Sequence, residues 1–305
     1  MILVTGGTGF IGGELVKQLY ARKIPFRLLV QPSRSETYFP KGIDLDVAVS
    51  GLTDLRGIRA AMQGIDTIYH LAGVERTGAL GELEKVELEG VDALTQVASE
   101  YRVRRFFYLS HLGADRASAY SLLKAKGIAE NTIRNSGVPY TILRSSMVYG
   151  AGDYFTIQLA ALIRKSPGLV LIPGDGSVLL QPLWVHDLVT ALIWALDMPQ
   201  LRNTVNALGG PEHLSFRTIL ETISTAIGKK RNFVEFSPLQ FQFLTQLMQN
   251  MVKGFPGSAF WMEYLAENRT CDLDSMPRLF GINPARLHQK LAYLKENSST
   301  KTGAQ

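Results

Sequence analysis

The sequence has little cysteine and no long apolar run, and both shortages exclude whole classes of protein. Its single cysteine, Cys271, excludes an internal disulfide and a metal cluster built on several thiolates. No uninterrupted apolar stretch reaches the roughly 18–20 residues that a membrane-spanning helix needs. The chain opens on the strand-like run MILVTGG, so we expect no signal or transit peptide. These features predict a soluble protein of a reducing compartment, either cytoplasmic or peripheral on the inner side of a membrane.

The sequence also lacks a basic stripe, although its formal net charge is +5. Its densest basic group, Arg102, Arg104 and Arg105, stands directly before a hydrophobic strand-like run. Without a nucleic-acid recognition motif, such dispersed charge does not predict nucleic-acid binding. The five histidines form no pair at metal-ligand spacing, so we expect no bound metal.

What the sequence does contain is an alternation of short apolar runs with amphipathic helical patterns. Six strands are predicted at 1–6, 25–30, 45–50, 67–73, 105–110 and 140–145, with helical periodicity between them. Repeated βα units of this length predict a Rossmann-type, doubly wound parallel sheet with helices on both faces. After residue 150 the alternation loosens, and a smaller, mostly helical C-terminal lobe is expected.

These patterns divide the chain into three predicted regions. A nucleotide-binding core covers 1–150, a smaller substrate or partner lobe interleaved with that core covers 151–295, and a disordered tail covers 296–305. Segment 237–265 is rich in Phe, Leu, Met and Gln. It is either part of the core of the lobe or an exposed face that contacts a membrane or another protein, and the sequence leaves both alternatives open.

The stretch TGGTGFIGGEL, residues 5–15, connects the first predicted strand to the first predicted helix. Its glycines Gly6, Gly9 and Gly12 have the spacing GxxGxxG. The first permits a tight turn, the second lets a pyrophosphate approach the backbone, and the third allows close helix–sheet packing at a helix N-terminus. The stretch therefore predicts a dinucleotide site. Its other expected contacts are Thr8, Phe10 and Ile11.

The end of the second strand indicates which dinucleotide binds. A site that prefers NAD normally has Asp or Glu there, which binds the ribose hydroxyls. This chain has Gln31 in that position and Arg34 shortly after it. A carboxylate would repel a 2′-phosphate, whereas a guanidinium can pair with it. We therefore predict a preference for NADP(H), with NAD(H) as the alternative if Arg34 is only a solvated loop residue.

Several motifs together resemble one known family. They are TGGTGFIG at the start, AMQGIDTIYHLAG at 61–73, RFFYLSHLGA at 105–114, KGIAENTIRNSGVPYTILRSSMVYG at 126–150 and PLWVHDLVTALIWAL at 182–196. The chain resembles an atypical, extended-type short-chain dehydrogenase/reductase with a core like that of NAD-dependent epimerases and dehydratases. It is especially similar to the group that contains the nucleotide-binding accessory subunit of respiratory complex I.

The resemblance implies further cofactor contacts beneath the adenosine ribose, near the adenine and beside the nicotinamide. Leu71, Ala72 and Gly73 are expected beneath the ribose, and Leu52 near the adenine. Ser145, Met147 and Val148 are expected beside the nicotinamide. One departure weakens the adenine contact. The Asp that commonly meets adenine in the family is replaced here by Gly51.

The resemblance also implies a catalytic pair. In these reductases a tyrosine hydroxyl exchanges a proton with the substrate, and a lysine lowers the tyrosine pKa and holds the nicotinamide ribose. Tyr120 and Lys124 have the required spacing, but the surrounding family pattern places the lysine at Lys126 and the tyrosine at Leu122. The two registers differ by about 200° around a helix. Residues of both registers can line the cofactor only if the helix starts after residue 120. Tyr120 then lies on the preceding loop and can reach the site beside Lys126.

The remaining catalytic candidates lie at the end of the fifth strand. Ser110 ends that strand two residues before the usual serine position of the family, and His111 follows as a candidate proton donor. The candidate catalytic residues are therefore Tyr120, Lys124, Ser110 and His111, in a displaced or degraded Ser–Tyr–Lys triad.

Two functions remain open. The first is an NADP(H)-dependent oxidoreductase that acts on a small carbonyl compound or a related apolar substrate. The second is a non-catalytic nucleotide-binding subunit that supports the structure or assembly of a membrane-associated redox complex. The fold does not choose between them, because one scaffold can carry both functions.

Overall fold

The computed structural model describes residues 1–32, 45–74, 80–237 and 264–296 of the 305-residue chain. Arg34, nearly all of segment 237–265 and nearly all of the predicted tail 296–305 lie outside these ranges. The chain forms two compact units. Unit 1 comprises Met1–Ser145 and Leu188–Leu208, and unit 2 comprises Ser146–Asp187 and Gly209–Gln305.

Unit 1 is built on a parallel sheet of seven strands. They are β1 (Ile2–Thr5), β2 (Phe26–Val30), β3 (Asp46–Val49), β4 (Thr67–His70), β5 (Arg105–His111), β6 (Tyr140–Ser145) and β11 (Thr204–Leu208). Their order across the sheet is β11-β6-β5-β4-β1-β2-β3, with every neighbouring pair parallel. The chain therefore reverses its direction of winding between β1 and β4, where such folds open a crevice at the carboxyl ends of the strands. The predicted Rossmann-type fold is confirmed, and β11 is a strand that the sequence analysis did not assign.

Helices cover this sheet. They are α1 (Phe10–Ala21), α2 (Leu55–Ala61), α3 (Leu80–Leu83), a π-helical turn (Glu84–Glu89), α4 (Gly90–Glu100), α5 (Ser121–Asn135) and α7 (Val185–Trp194). On one face, Ile58 of α2, Leu94 of α4 and Ile133 of α5 are fully buried against strand residues such as Ile68 and Phe106. Each buried side chain of this size contributes about 1.5–3 kcal/mol of hydrophobic stabilisation. The continuous apolar runs of the strands are thereby explained, because both faces of the sheet are covered.

Unit 2 consists of short strand pairs and helices. Its elements are β7 (Val148–Tyr149), α6 (Phe155–Lys165), β8 (Leu169–Pro173), β9 (Leu179–Leu180), β10 (Leu183–Trp184), β12 (Leu214–Ser215), α8 (Phe216–Ala226), β13 (Asn232–Phe236), α9 (Ser275–Phe280) and α10 (Tyr293–Glu296). β7 pairs with β10, β9 with β12 and β8 with β13. Ile163 of α6, Ile172 of β8 and Ile219 of α8 lie in its hydrophobic core. Within the described residues, no helix is long and apolar enough to cross a membrane.

Candidate nucleotide and active site

Two of the three glycines of the GxxGxxG motif, Gly6 in the loop between β1 and α1 and Gly12 in the first turn of α1, leave no room for a side chain. Gly6 has a positive φ of 72°, and a Cβ there would lie 2.5 Å from the backbone nitrogen of Ala72. A Cβ at Gly12 would lie 2.1 Å from the carbonyl oxygen of Gly6. Both distances are far below van der Waals contact, so these positions require glycine. The loop is closed by a 2.9 Å hydrogen bond from the Gly9 amide to the Gly6 carbonyl.

Gly9 differs from its neighbours because space lies open beside it. It has an ordinary extended conformation with φ of −80°. A Cβ there would meet the Gly6 carbonyl oxygen at 3.2 Å and, apart from Gly9 and its two chain neighbours, no other atom of the described residues within 4 Å. Thr8 and Gly9 are exposed, and the first turn of α1 begins with the half-buried, uncharged Phe10 and Ile11. The exposed backbone and the positive helix end therefore fit the pyrophosphate of a dinucleotide.

The segment after β4 lies directly against this loop. The Leu71 amide donates a 3.2 Å hydrogen bond to the Thr5 carbonyl, and the backbone of Leu71 and Ala72 abuts Gly6. Gly73 follows and is exposed. The structure thus brings Leu71, Ala72 and Gly73 to the glycine loop, at the carboxyl edge of neighbouring strands.

The other residues predicted on the adenosine side of the cofactor differ in exposure. Gln31 directly follows β2 and is exposed, whereas Arg34 lies outside the described residues. The side chain of Leu52 belongs to the hydrophobic core of unit 1. A Cβ at Gly51 would meet no atom of the described residues within 4 Å, so the position next to Leu52 faces open space.

The two candidate lysines lie on different faces of α5. The helix starts at Ser121, with Tyr120 as its extended N-cap residue. Lys124 is exposed, whereas Lys126 is 2% exposed. Leu122, at the tyrosine position of the alternative register, is buried. Tyr120 is half-buried and precedes the helix, which is the arrangement that allows it to serve a site together with Lys126.

Lys126 enters a buried polar cluster that the sequence did not predict. Its Nζ lies 2.8 Å from Oε1 of Glu87, donates to the Leu109 carbonyl at 3.4 Å and stands 5.1 Å from the ring centroid of Tyr108. The Tyr108 hydroxyl donates a 2.8 Å hydrogen bond to Oε2 of Glu87. The sequence carries no signal for Glu87, which looks like any other acidic residue in a run of glutamates.

The same cluster continues to the base of the glycine loop. The ring of His70 stacks on Tyr108 with centroids 5.7 Å apart, and its Nδ1 lies 2.6 Å from Oγ1 of Thr5. Burial, reinforced by the charge of Lys126, lowers the pKa of His70 to about 3. His70 is therefore neutral at physiological pH and links the ends of β1 and β4 by a hydrogen bond.

Ser110 is held by a different set of groups. Its buried hydroxyl donates a 2.6 Å hydrogen bond to Oε1 of Glu130. That carboxylate also accepts a two-pronged contact from Arg144, with 2.9 Å from Nε to Oε1 and 2.6 Å from Nη2 to Oε2. The hydrogen bond to Glu130 raises the pKa of the Arg144 guanidinium. Ser110 thus belongs to a charged cluster between β5, α5 and β6.

The ends of β5 and β6 bring two more predicted residues together. His111 is paired with Ser145 in the sheet register, and the Leu112 amide donates to the Ser145 carbonyl at 3.0 Å. Met147 and Val148 fall in unit 2, where the Met147 carbonyl accepts a 2.8 Å hydrogen bond from the Leu183 amide. Across the described part of the chain, no group of three or more His, Cys, Asp or Glu residues is placed to hold a metal ion.

Comparison with known proteins places this arrangement in a family. A family described as NAD(P)H-binding matches residues 6–158, the stretch from the glycine loop to the first helix of unit 2. The chain belongs to the NAD(P)H-binding family. Within it, the chain is an atypical short-chain dehydrogenase/reductase related to the complex I accessory subunits, as the sequence motifs predicted.

Three individual proteins illustrate the relationship. The sterol demethylase protein B of Methylococcus capsulatus is 36% identical, and the alignment covers 96% of this chain and 80% of that protein. The mitochondrial NADH dehydrogenase [ubiquinone] 1 alpha subcomplex subunit 9 of Arabidopsis thaliana is 29% identical over 76% of this chain, which spans 59% of that protein. A Thermus thermophilus UDP-glucose 4-epimerase, solved with NAD, shares the fold with a TM-score of 0.73 at 20% identity, covering 97% of both chains.

Proposed function

We propose that the chain is an NAD(P)H-dependent oxidoreductase that interconverts a hydroxyl and a carbonyl group on a sterol or another large apolar molecule. The observation that carries this proposal is the glycine loop, with its cramped Gly6 and Gly12 and the open space beside Gly9. The likeness to a sterol demethylase protein over 96% of this chain supports both the redox chemistry and the apolar substrate.

The described residues supply the parts that such a reaction needs. When bound, the nicotinamide would provide the hydride chemistry. Lys126 would hold the nicotinamide ribose from the buried face of α5, and Ser145, at the carboxyl end of β6, would lie beside the ring. Because the Ser110 hydroxyl is bound to Glu130, the proton at the substrate oxygen is assigned to Tyr120, with His111 as the second candidate.

A preference for NADPH over NADH is part of the proposal. Gln31 directly follows β2, where an acidic residue would repel a 2′-phosphate. Arg34 follows in the sequence and would supply a positive charge for that phosphate.

The test is the oxidation of NADPH by the purified protein, followed by absorbance, with a 3-oxo sterol and with a small ketone as substrates. We expect turnover with the sterol that falls by about 10²–10⁴ in Tyr120→Phe, the usual contribution of a positioned proton donor. Tyr101→Phe, at an exposed residue after α4, is the matched control and keeps the wild-type rate. Loss of turnover in His111→Gln but not in Tyr120→Phe would transfer the proton-donor role to His111.

A second function is favoured by one observation. The family pattern that assigns the lysine role to the buried Lys126 places Leu122 at the position of the catalytic tyrosine. A leucine has no proton to donate. The likeness to a subunit of NADH dehydrogenase points the same way, towards a nucleotide-binding subunit that is peripheral on a membrane redox complex. Tight NADPH binding without turnover of any sterol or ketone, in either direction, would favour this second function.

A further inference from the structure

Glu87 is a buried acid in a turn whose other acids, Glu84 and Glu89, are exposed to solvent. Glu82 of the preceding helix α3 is exposed as well, whereas Glu87 is 0% exposed. The turn is π-helical, and at its end the Gly90 amide donates to the Lys85 carbonyl, five residues back. Such turns are rare and occur frequently at functional sites. Burying a carboxylate is costly unless a partner compensates its charge.

Both carboxylate oxygens of Glu87 have defined partners. Oε1 lies 2.8 Å from the Lys126 ammonium, and Oε2 accepts the Tyr108 hydroxyl at 2.8 Å. Replacing a buried ion pair by apolar residues is often neutral or even stabilising, so stability alone does not account for this pair. Its evident effect is geometric, because it fixes the ammonium 5.1 Å from the Tyr108 ring centroid and beside the Leu109 carbonyl.

The place at which the ammonium is fixed lies close to the nucleotide loop. Leu109 stands two residues before the carboxyl end of β5, and Tyr108 stacks on His70 at the carboxyl end of β4. His70 is hydrogen-bonded to Thr5, the residue directly before Gly6. The cluster therefore connects the base of the glycine loop to α5 beneath the strand ends where this fold binds nucleotides.

We propose that Glu87 is a positioning residue that holds the Lys126 ammonium, charged and oriented, where it meets the nicotinamide ribose. This proposal rests on the proposed function, from which it takes Lys126 as the ribose ligand. Without the carboxylate, the buried ammonium would lose its counter-charge, which disfavours its charged form, and it would lose the contact that orients it. Glu87 itself touches neither cofactor nor substrate.

The test compares two ligands on the full-length protein by titration calorimetry. NADPH contains the nicotinamide ribose, whereas 2′-phospho-ADP contains the adenosine half alone. We expect Glu87→Gln and Lys126→Met each to weaken NADPH binding roughly 10- to 100-fold, the range for one lost charge-assisted hydrogen bond. Neither variant should change the affinity for 2′-phospho-ADP. Glu84→Gln, an exposed acid on the same turn, is the matched control and should leave both affinities unchanged.

Conservative and double variants complete the test. Glu87→Asp keeps the carboxylate and should restore part of the NADPH affinity that Glu87→Gln loses. Glu87→Gln combined with Lys126→Met should bind NADPH no more weakly than Lys126→Met alone, because the two residues act through one contact. This double variant buries no lone charge, so it also serves if Glu87→Gln alone does not fold.

The outcomes separate this proposal from the function on which it rests. If Lys126→Met weakens NADPH binding and Glu87→Gln does not, Glu87 has no positioning role although the function stands. If Glu87→Gln weakens both ligands equally, its role is in folding alone and the proposal is wrong. If the wild-type protein binds neither ligand, the proposed function is overturned, and this proposal with it.

Discussion

Lys124 and Lys126 stand two residues apart on α5, yet one is exposed to solvent and the other is 2% exposed beside Glu87. A helix turns about 200° over two residues, so the two side chains leave the helix on nearly opposite faces. Lys126 is therefore the lysine of the α5 face that packs on the sheet, next to the strand ends where we propose that the nucleotide binds.

The first prediction concerns this pair. Lys126→Met should weaken NADPH binding by roughly 10-fold or more, since it removes a charge-assisted contact to the ribose. Lys124→Met is the matched control on the exposed face and should leave the affinity within about twofold. Titration calorimetry on both variants checks the prediction. The opposite pattern would assign the site to the register of Tyr120 and Lys124.

The second prediction concerns the cluster of Ser110, Glu130 and Arg144. Ser110→Ala removes one hydrogen bond to a buried carboxylate and should lower the free energy of unfolding by about 1–2 kcal/mol. Arg144→Met leaves the buried Glu130 carboxylate without its counter-charge and should cost more, about 2–4 kcal/mol. Arg144 is partly exposed, so solvent screening keeps this cost below that of breaking a fully buried pair. Urea unfolding measures both values.

Ser110→Ala also tests catalysis. Because its hydroxyl is bound to Glu130, the variant should keep its NADPH-dependent turnover within about threefold of the wild type. A loss of about 10² or more, on the scale of a group that acts on the reacting atoms, would show that Ser110 contacts the substrate.

The third prediction follows from the buried, neutral His70. Its pKa is about 3 in the folded protein, whereas an unfolded histidine has a pKa of about 6.5. Between these values the unfolded chain binds one proton more than the folded chain, so this residue makes stability fall as the pH falls below 6.5. From pH 6.5 to 5 the expected loss from this one residue is about 1–2 kcal/mol.

A variant isolates this contribution from that of other groups. His70→Asn removes the titrating ring, so its unfolding free energy should depend less steeply on pH between 6.5 and 5 than that of the wild type. Urea unfolding of both proteins at several pH values in this window gives the two slopes. Equal slopes would mean that His70 is not kept neutral by the fold.

The sequence predicted the sheet well because its signal is local. The six assigned strands are short apolar runs, and helical patterns follow the first, third, fourth and fifth of them. A doubly wound sheet needs little more to be recognised. β11 was missed because Thr204–Leu208 is partly polar, half-exposed and at the edge of the sheet, so it lacks the continuous apolar run of a central strand.

The sequence points to site residues where their signal is local, and gives no signal for groups that meet only when distant elements pack together. The glycine loop is a contiguous motif, and Gly6 and Gly12 are as cramped as a tight turn and close helix packing require. Glu87 and Tyr108 come from different elements, and a π-helical turn has no sequence signature that separates its buried acid from its exposed neighbours. The contact between Ser110 and Glu130 could not be predicted either, because Glu130 reaches Ser110 only when α5 packs on β5.

The fourth prediction concerns the choice of cofactor. Gln31→Asp places a carboxylate directly after β2, where it should bind the ribose hydroxyls of NADH and repel the 2′-phosphate of NADPH. The NADPH preference should fall by roughly 10-fold or more and approach or pass equality. Arg34→Ala should also reduce the preference, without a gain in NADH affinity. Equal affinities of the wild type for both cofactors would contradict the proposed NADPH preference.

The most direct test of the central claim, that a dinucleotide binds on the glycine loop, is NADPH titration of Gly9→Val. Any residue can adopt the backbone conformation of Gly9, and a Cβ there would make one tight contact, 3.2 Å from the Gly6 carbonyl oxygen, so the variant should fold with a slightly lowered melting temperature. Gly13→Ala is the control, since its Cβ would make an ordinary 3.7 Å contact with the Gly7 carbonyl oxygen. We predict that Gly13→Ala binds NADPH like the wild type and that folded Gly9→Val shows no measurable binding. Wild-type affinity in Gly9→Val would contradict the account, because the pyrophosphate would then lie elsewhere.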